Sequence, residues 1–240
     1  MKRAIPLVIC ALILASAGTW YFLRDQPRDF ALAARELATR RLGEYLAQKF
    51  PSQRALLISN PFIESTTTAS EIVAMEKAGI DGFKEGLGDK LALEAVAFPE
   101  LKPEARTNPR AVFIDGATTT PLSFLVSPDA FDKLAAQYPQ AGLFVSLIGL
   151  PANVKESRCW QDEKPKFALL LPDLRFIGNA TAVKQSLQRG KIAAMVLQKP
   201  GAPSWHRGVS QTDFDRLFIL VTADNIERTM LDHPQLFPAH

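Results

Sequence analysis

The sequence predicts an α/β domain of three layers, a mostly parallel, doubly wound sheet of Rossmann or flavodoxin type, preceded by an N-terminal membrane segment. Three observations carry this. Beyond residue 25, short apolar runs alternate with stretches of helical periodicity, the pattern of a sheet covered on both faces. The runs are nearly continuous in Ala, Val, Ile, Leu and Phe instead of alternating with polar residues, as strands buried on both sides require. Ahead of them, residues 4–23 form one apolar stretch without a charge.

That first segment follows Lys2 and Arg3. As a helix of ~1.5 Å per residue it is about 30 Å long, enough for a bilayer core. Trp20 and Tyr21 lie near its far end, where interfacial aromatics are favoured, and the basic start stays inside, so the remainder is placed outside the cytoplasm. Two fates stay open. Ala15-Ser16-Ala17 is a small-x-small pattern that a signal peptidase cuts, whereas Thr19 onward prolongs the apolar run as an uncut anchor would. Residues 1–25 are therefore read as signal anchor or signal peptide. Residues 26–240 are read as one extracytoplasmic domain, in a bacterial-type envelope, either held to the inner membrane by a single pass or periplasmic if cut.

Within the domain, Phe30, Leu37, Leu42, Leu46 and Phe50 recur at helical spacing up to Pro51. In this helix Arg40 and Arg41 lie near Glu36 and Glu44, a pairing typical of a solvated face. A buried strand follows at 54–59, broken by Asn60-Pro61. Thr68 and Glu71 form a capping-box pattern for a helix over 69–86, with Gly86 and Gly88 suited to its end. Strands are expected at 91–98, 141–149, 167–171, 192–197 and 218–221, and helices at 127–138, 180–189 and 223–231. Pro128 suits a first helical position, and Asn179 reads as a helix N-cap. The runs 110–115 and 122–126, with residues 116–120 between, read as an antiparallel hairpin. The tail 233–240 is expected to fray.

Composition excludes several function classes. Without Lys2 and Arg3, the excess of 28 basic over 25 acidic residues falls to one, and no basic cluster stands out, so nucleic acid is not an expected partner. Cys10 lies in the apolar segment and Cys159 is alone in the domain, which leaves no intrachain disulfide and no cysteine-based metal site there. The charged neighbours of Cys159 favour partial exposure. Of His206, His233 and His240 only the first lies outside the tail, so no histidine metal site is expected, nor a cofactor, for which the glycine-rich signatures are missing.

In an open α/β sheet, ligands bind beyond the carboxyl ends of the strands, at a switch in strand order. This selects Asn60, Phe62, Ser65 and Thr66 after the first strand, Asp115 after the run at 110–115, and Asp173 after the strand at 167–171. Hydroxyls at a helix start suit a small anion, but the same residues cap helices and make turns for local reasons. Asp115-Gly116 is also a common turn pair. It lacks the second aspartate, two positions on, that a phosphatase-like strand end needs, since Ala117 stands there. No catalytic constellation is recognised.

Residues 55–62 (Ala-Leu-Leu-Ile-Ser-Asn-Pro-Phe), the glycine-bearing helix 79–88 and the helix–strand stretch 127–149 ending in Gly-Leu-Phe-Val-Ser-Leu-Ile-Gly resemble one lobe of type I periplasmic binding proteins. The resemblance implies that Asn60, Pro61 and Phe62 lie at a ligand cleft. The family has two lobes, and the roughly 215 residues outside the targeting segment suffice for one domain of ordinary size. The sequence thus points to a tethered or secreted domain that binds a small solute or an envelope protein without catalysis. A hydrolase or transferase with an unrecognised site, and a structural subunit of an envelope assembly, are the alternatives.

Overall fold

The computed structural model describes residues 27–66, 68–202 and 213–239. No helix among them is long and apolar enough to cross a membrane, and the segment 4–23 lies outside them. Six strands form one sheet: β1 (Arg54–Ile58), β2 (Ala92–Ala97), β3 (Leu143–Ser146), β4 (Lys166–Leu170), β5 (Ile192–Gln198) and β6 (Phe218–Val221). Their order is β2-β1-β3-β4-β5-β6. The first five are parallel and β6 is antiparallel to β5, with Met195 opposite Val221 and Gln198 opposite Phe218. This is the flavodoxin-like order extended by one antiparallel edge strand. The chain leaves β1 toward β2 on one side and returns to β3 on the other, so the switch point lies between β1 and β3.

Alternate side chains of each strand enter two cores. Leu56, Ile58, Phe144, Phe167, Leu169 and Met195 meet α5 (Ala130–Gln137), α6 (Arg158–Gln161), α7 (Ala180–Gln188) and α9 (Ile226–Asp232) on one face. Leu57, Leu143, Val145, Ala168 and Val196 meet α1 (Pro27–Lys49), α2 (Ser70–Leu87) and α8 (Phe214–Leu217) on the other. Central strand residues such as Leu57 and Phe144 are wholly buried, which explains the unbroken apolar runs. The three-layer expectation therefore holds.

Helices α1 and α2 cross in backbone contact. A Cβ on Gly82 would lie 2.3 Å from the Glu36 carbonyl, and one on Gly86 2.1 Å from that of Arg40. Gly86 thus serves the crossing, not the helix end. Gly88, at φ +50°, caps α2 in a conformation that costs glycine little. Arg40 pairs with Glu36 at 2.7 Å as its spacing suggests, but also with Glu85 of α2 at 2.9 Å, so this part of α1 faces its neighbour helix as well as solvent.

The hairpin expected over 110–126 does not form. After α3 (Pro103–Thr107), a 3-10 turn occupies Pro109–Ala111 and a short helix, α4, spans Leu122–Leu125; each of the three begins at or next to a proline whose fixed φ suits a helical start. Phe113 is 81% exposed and, among the described residues, has no facing strand; Leu101 and Val126 make an isolated antiparallel bridge. The capping box is also absent. The N-cap of α2 is Ala69, with no side-chain bond, because the Thr68 hydroxyl donates to the Phe62 carbonyl instead. α5 begins at Ala130, after a turn in which the Ala130 amide donates to the Ser127 carbonyl. α9 begins at Ile226, because Asn225 folds back onto the Thr222 amide and the Leu220 carbonyl, each at 2.8 Å.

Cys159 is buried, not partly exposed. Its amide donates to Asp132 at 2.8 Å, which turns the side chain inward in spite of the charged neighbours along the chain. The tail is also ordered up to residue 239: Phe237 is buried, and the Pro238 carbonyl accepts from the Ala180 amide at 3.2 Å. Asn179 caps α7 as expected, its side chain accepting from Ala182 at 3.0 Å. His206 and the rest of 203–212 lie outside the described residues.

Candidate functional site

At the switch point the chain is closed over. The excursion from β2 to β3 passes across the end of β3, where Gly149, at φ +80°, lies so close to Thr120 that a Cβ would meet it at 2.8 Å. Thr120 and Ser123 are buried there and hydrogen-bond to one another at 2.9 Å. Beneath lies a buried polar network. Glu76 of α2 accepts from Ser59, at the end of β1, at 2.8 Å and from Arg35 of α1 at 2.7 Å. Arg35 also donates to the Leu147 carbonyl after β3 at 3.4 Å, so one ion pair ties together both helices and both central strand ends.

The candidates after β1 have local roles. Asn60 is buried and its side chain accepts from the Phe62 amide at 3.0 Å, capping the 3-10 turn Pro61–Glu64. Phe62 is half-buried, and Ser65 and Thr66 are exposed beyond that turn. The structure brings the other two candidates together. Asp173, buried after β4, accepts from Thr118 at 2.9 Å and from Arg175 at 2.6 and 2.9 Å. Arg175 extends on to Asp115 at 2.8 Å. The loop carrying Asp115 is thereby fastened to the end of β4, although 58 positions separate the two aspartates.

This cluster adjoins a cavity of about 770 Å3 beyond the carboxyl ends of β4 and β5. Asp173, Arg175, Gln198 and Lys199 give it polar groups; Leu171, Leu197, Leu236 and Phe237 give it apolar ones. A second cavity of about 330 Å3 shares Leu171, Gln198 and Ala202 with it, and is walled by Phe30, Ala34 and Arg35 of α1 and by Phe218. The two form one recessed region on the strand-end edge, displaced from the covered switch point toward β5.

The electrostatics are those of a fixed ion-paired wall. Burial pushes the Asp173 carboxyl up, but hydrogen bonds from the Arg175 side chain, Thr118 and the Arg175 amide outweigh it and hold the group below its usual range. Asp115 is held low by the Ala117 amide first; desolvation opposes this, and the hydrogen bond and charge of Arg175 add to the lowering. Its hydrogen bond to Asp173 drives Arg175 still further from deprotonation. None of the three is moved toward neutrality, where a general acid or base works best. Among the described residues no three His, Cys, Asp or Glu side chains converge to hold a metal.

Sequence reasoning singled out Asp115 and Asp173 but missed Arg175, which joins them, and the pair Arg35–Glu76. The Asp-x-Arg spacing at 173–175 was the available signal for the first. For the second there was none, since Arg35 and Glu76 are 41 positions apart on different helices.

No family model matches the chain, and no curated protein matches it. Solved structures of periplasmic sugar-binding proteins do. An ABC-transporter solute-binding protein from Agrobacterium vitis, bound with α-D-tagatopyranose, is 13% identical over 86% of this chain and 61% of its own, with a TM-score of 0.48. One from Burkholderia graminis, in complex with D-arabinose, is 14% identical over 80% and 61%, with a TM-score of 0.46. The periplasmic ribose ABC transporter protein from Conexibacter woesei is 10% identical over 87% and 61%, with a TM-score of 0.44. The chain spans about three fifths of the length of each of these proteins.

Proposed function

We propose that the chain is an extracytoplasmic domain, tethered by residues 4–23, that binds a small polar solute at the carboxyl ends of β4 and β5 and does no chemistry on it. The cavity of about 770 Å3 carries this reading: its size suits a small ligand, and polar groups meet apolar ones on its walls. The Asp173–Arg175–Asp115 array supports binding over catalysis. Arg175 pairs with both carboxylates, which are held ionised, and this fixes a surface for hydrogen bonding with no group brought near neutrality as an acid or base.

Thermal-shift and calorimetric titration with pentoses, hexoses, amino acids and nucleotides tests the reading; D-arabinose and D-tagatose belong in the panel. A solute present at about 100 times its Kd adds roughly 2.7 kcal/mol of stability. For a domain of this size that raises Tm by roughly 5–10 °C. Arg175→Ala should abolish the shift. A panel that stabilises neither protein, or stabilises both equally, would exclude this site.

A further inference from the structure

We infer that the strand-end edge of the domain is a membrane-contacting surface, whose partner is the lipid headgroup layer. The inference rests on residues 4–23 being an uncut anchor. Helix α1 runs antiparallel to the strands: near its start, Phe30 and Ala34 stand beside Leu170 and Gln198, at the ends of β4 and β5. At its far end the Phe50 ring lies 5.6 Å from the ammonium of Lys166, the first residue of β4. The chain therefore enters the domain at the strand-end edge. Only Arg24, Asp25 and Gln26 separate Pro27 from the apolar segment, and three residues reach about 10 Å when fully extended. An anchor in the bilayer holds this edge, not the opposite one, against the membrane.

The side chains on that edge suit the location. Among the described residues, the large apolar side chains that stand exposed are Ile72 at 43%, Val73 at 37%, Phe113 at 81% and Leu231 at 79%. Ile72 and Val73 lie in the first turn of α2, which starts beyond the end of β1. Phe113 lies two residues before Asp115, which Arg175 fastens to the end of β4. The half-buried Phe62 and Ile63 belong to the same edge. Leu231 is carried separately, by α9. Glu64 and Lys102 bring charges of both signs to this edge, so the contact is apolar insertion and needs no anionic lipid. The cavities open on the same edge, so their ligand arrives by way of the headgroup layer.

The test uses the full chain with Cys10→Ser, in which Cys159 is buried, and adds one cysteine at a time: Ile72→Cys, Phe113→Cys, or Glu163→Cys. Glu163 precedes β4 and so marks the opposite edge. Each thiol is labelled with an environment-sensitive fluorophore, and the protein is reconstituted into phosphatidylcholine vesicles with or without brominated acyl chains. Probes at positions 72 and 113 should lose about half their emission in brominated vesicles, as groups within ~5–10 Å of the headgroup–acyl boundary do, while the probe at 163 is unchanged. Protein that floats with the vesicles but shows no quenching, or equal quenching at all three positions, overturns the membrane contact and leaves the anchor standing. Protein that does not float overturns the anchor, and the contact with it.

Discussion

Glu76→Ala should be among the most damaging single substitutions in the domain. The Glu76 and Arg35 side chains are 9% and 15% exposed, and Arg35 Nε has no acceptor even in the native network. Without the carboxylate, the acceptor left to the Arg35 guanidinium among the described residues is the Leu147 carbonyl at 3.4 Å, and Ser59 loses its acceptor as well. Removing one partner of a buried pair costs about 3–5 kcal/mol, because the remaining charge stays desolvated. Native domains hold only about 5–15 kcal/mol in all. Urea unfolding followed by circular dichroism should therefore show a much lower midpoint, and Tm should fall by roughly 6–20 °C. Replacing both partners, Arg35→Met with Glu76→Leu, should recover most of the loss; Ser59 keeps the recovery incomplete. If Glu76→Ala lies within about 0.5 kcal/mol of the parent, or the double variant is no better than the single one, the pair does not hold the strand ends as argued.

Gly82→Ala would push a methyl to 2.3 Å from the Glu36 carbonyl, so α1 and α2 must part; a loss of about 1–3 kcal/mol in the same melts is expected, and a stabilised variant would contradict the backbone contact. The Cys159 thiol, pushed up to about 12 mainly by burial, should resist Ellman's reagent at pH 8 in the native Cys10→Ser protein and react in urea. Because its folded pKa is raised, its contribution to stability is present below about pH 8.5 and declines as pH rises toward 12. Asp173 has the opposite sign. Its lowered pKa adds stability above about pH 4 that is lost on further acidification, so the gap between parent and Asp173→Asn should narrow in melts below that pH.

The parts legible in the sequence are those set by local chemistry. β6 was read to its observed bounds, and most other strands to within a residue or two at each end, because their apolar runs are unbroken, those of β1, β3, β4 and β5 through burial. The Asn179 cap was legible because its hydrogen bond spans three residues. Where a distant element decides, the reading failed. The run 110–115 looks like a strand until its missing partner is known, and Cys159 looks exposed until Asp132, 27 positions away, captures its amide. The site shows the same division. Strand topology selected the strand-end edge, and so Asp173, but only the packing of Thr120 against Gly149 shows that the switch point is covered and the cavity displaced toward β5.

The strand order has one more consequence. Among the described residues β2 terminates the sheet, and its outer backbone has no neighbouring strand, the geometry that recruits foreign strands and seeds aggregates. This strand is rich in alanine, and at its middle Glu94 is held by Arg54 at 2.7 Å, a charge that a second chain would have to bury in order to pair there. The residues that make β2 a poor strand for stability also make it a poor template for misassembly.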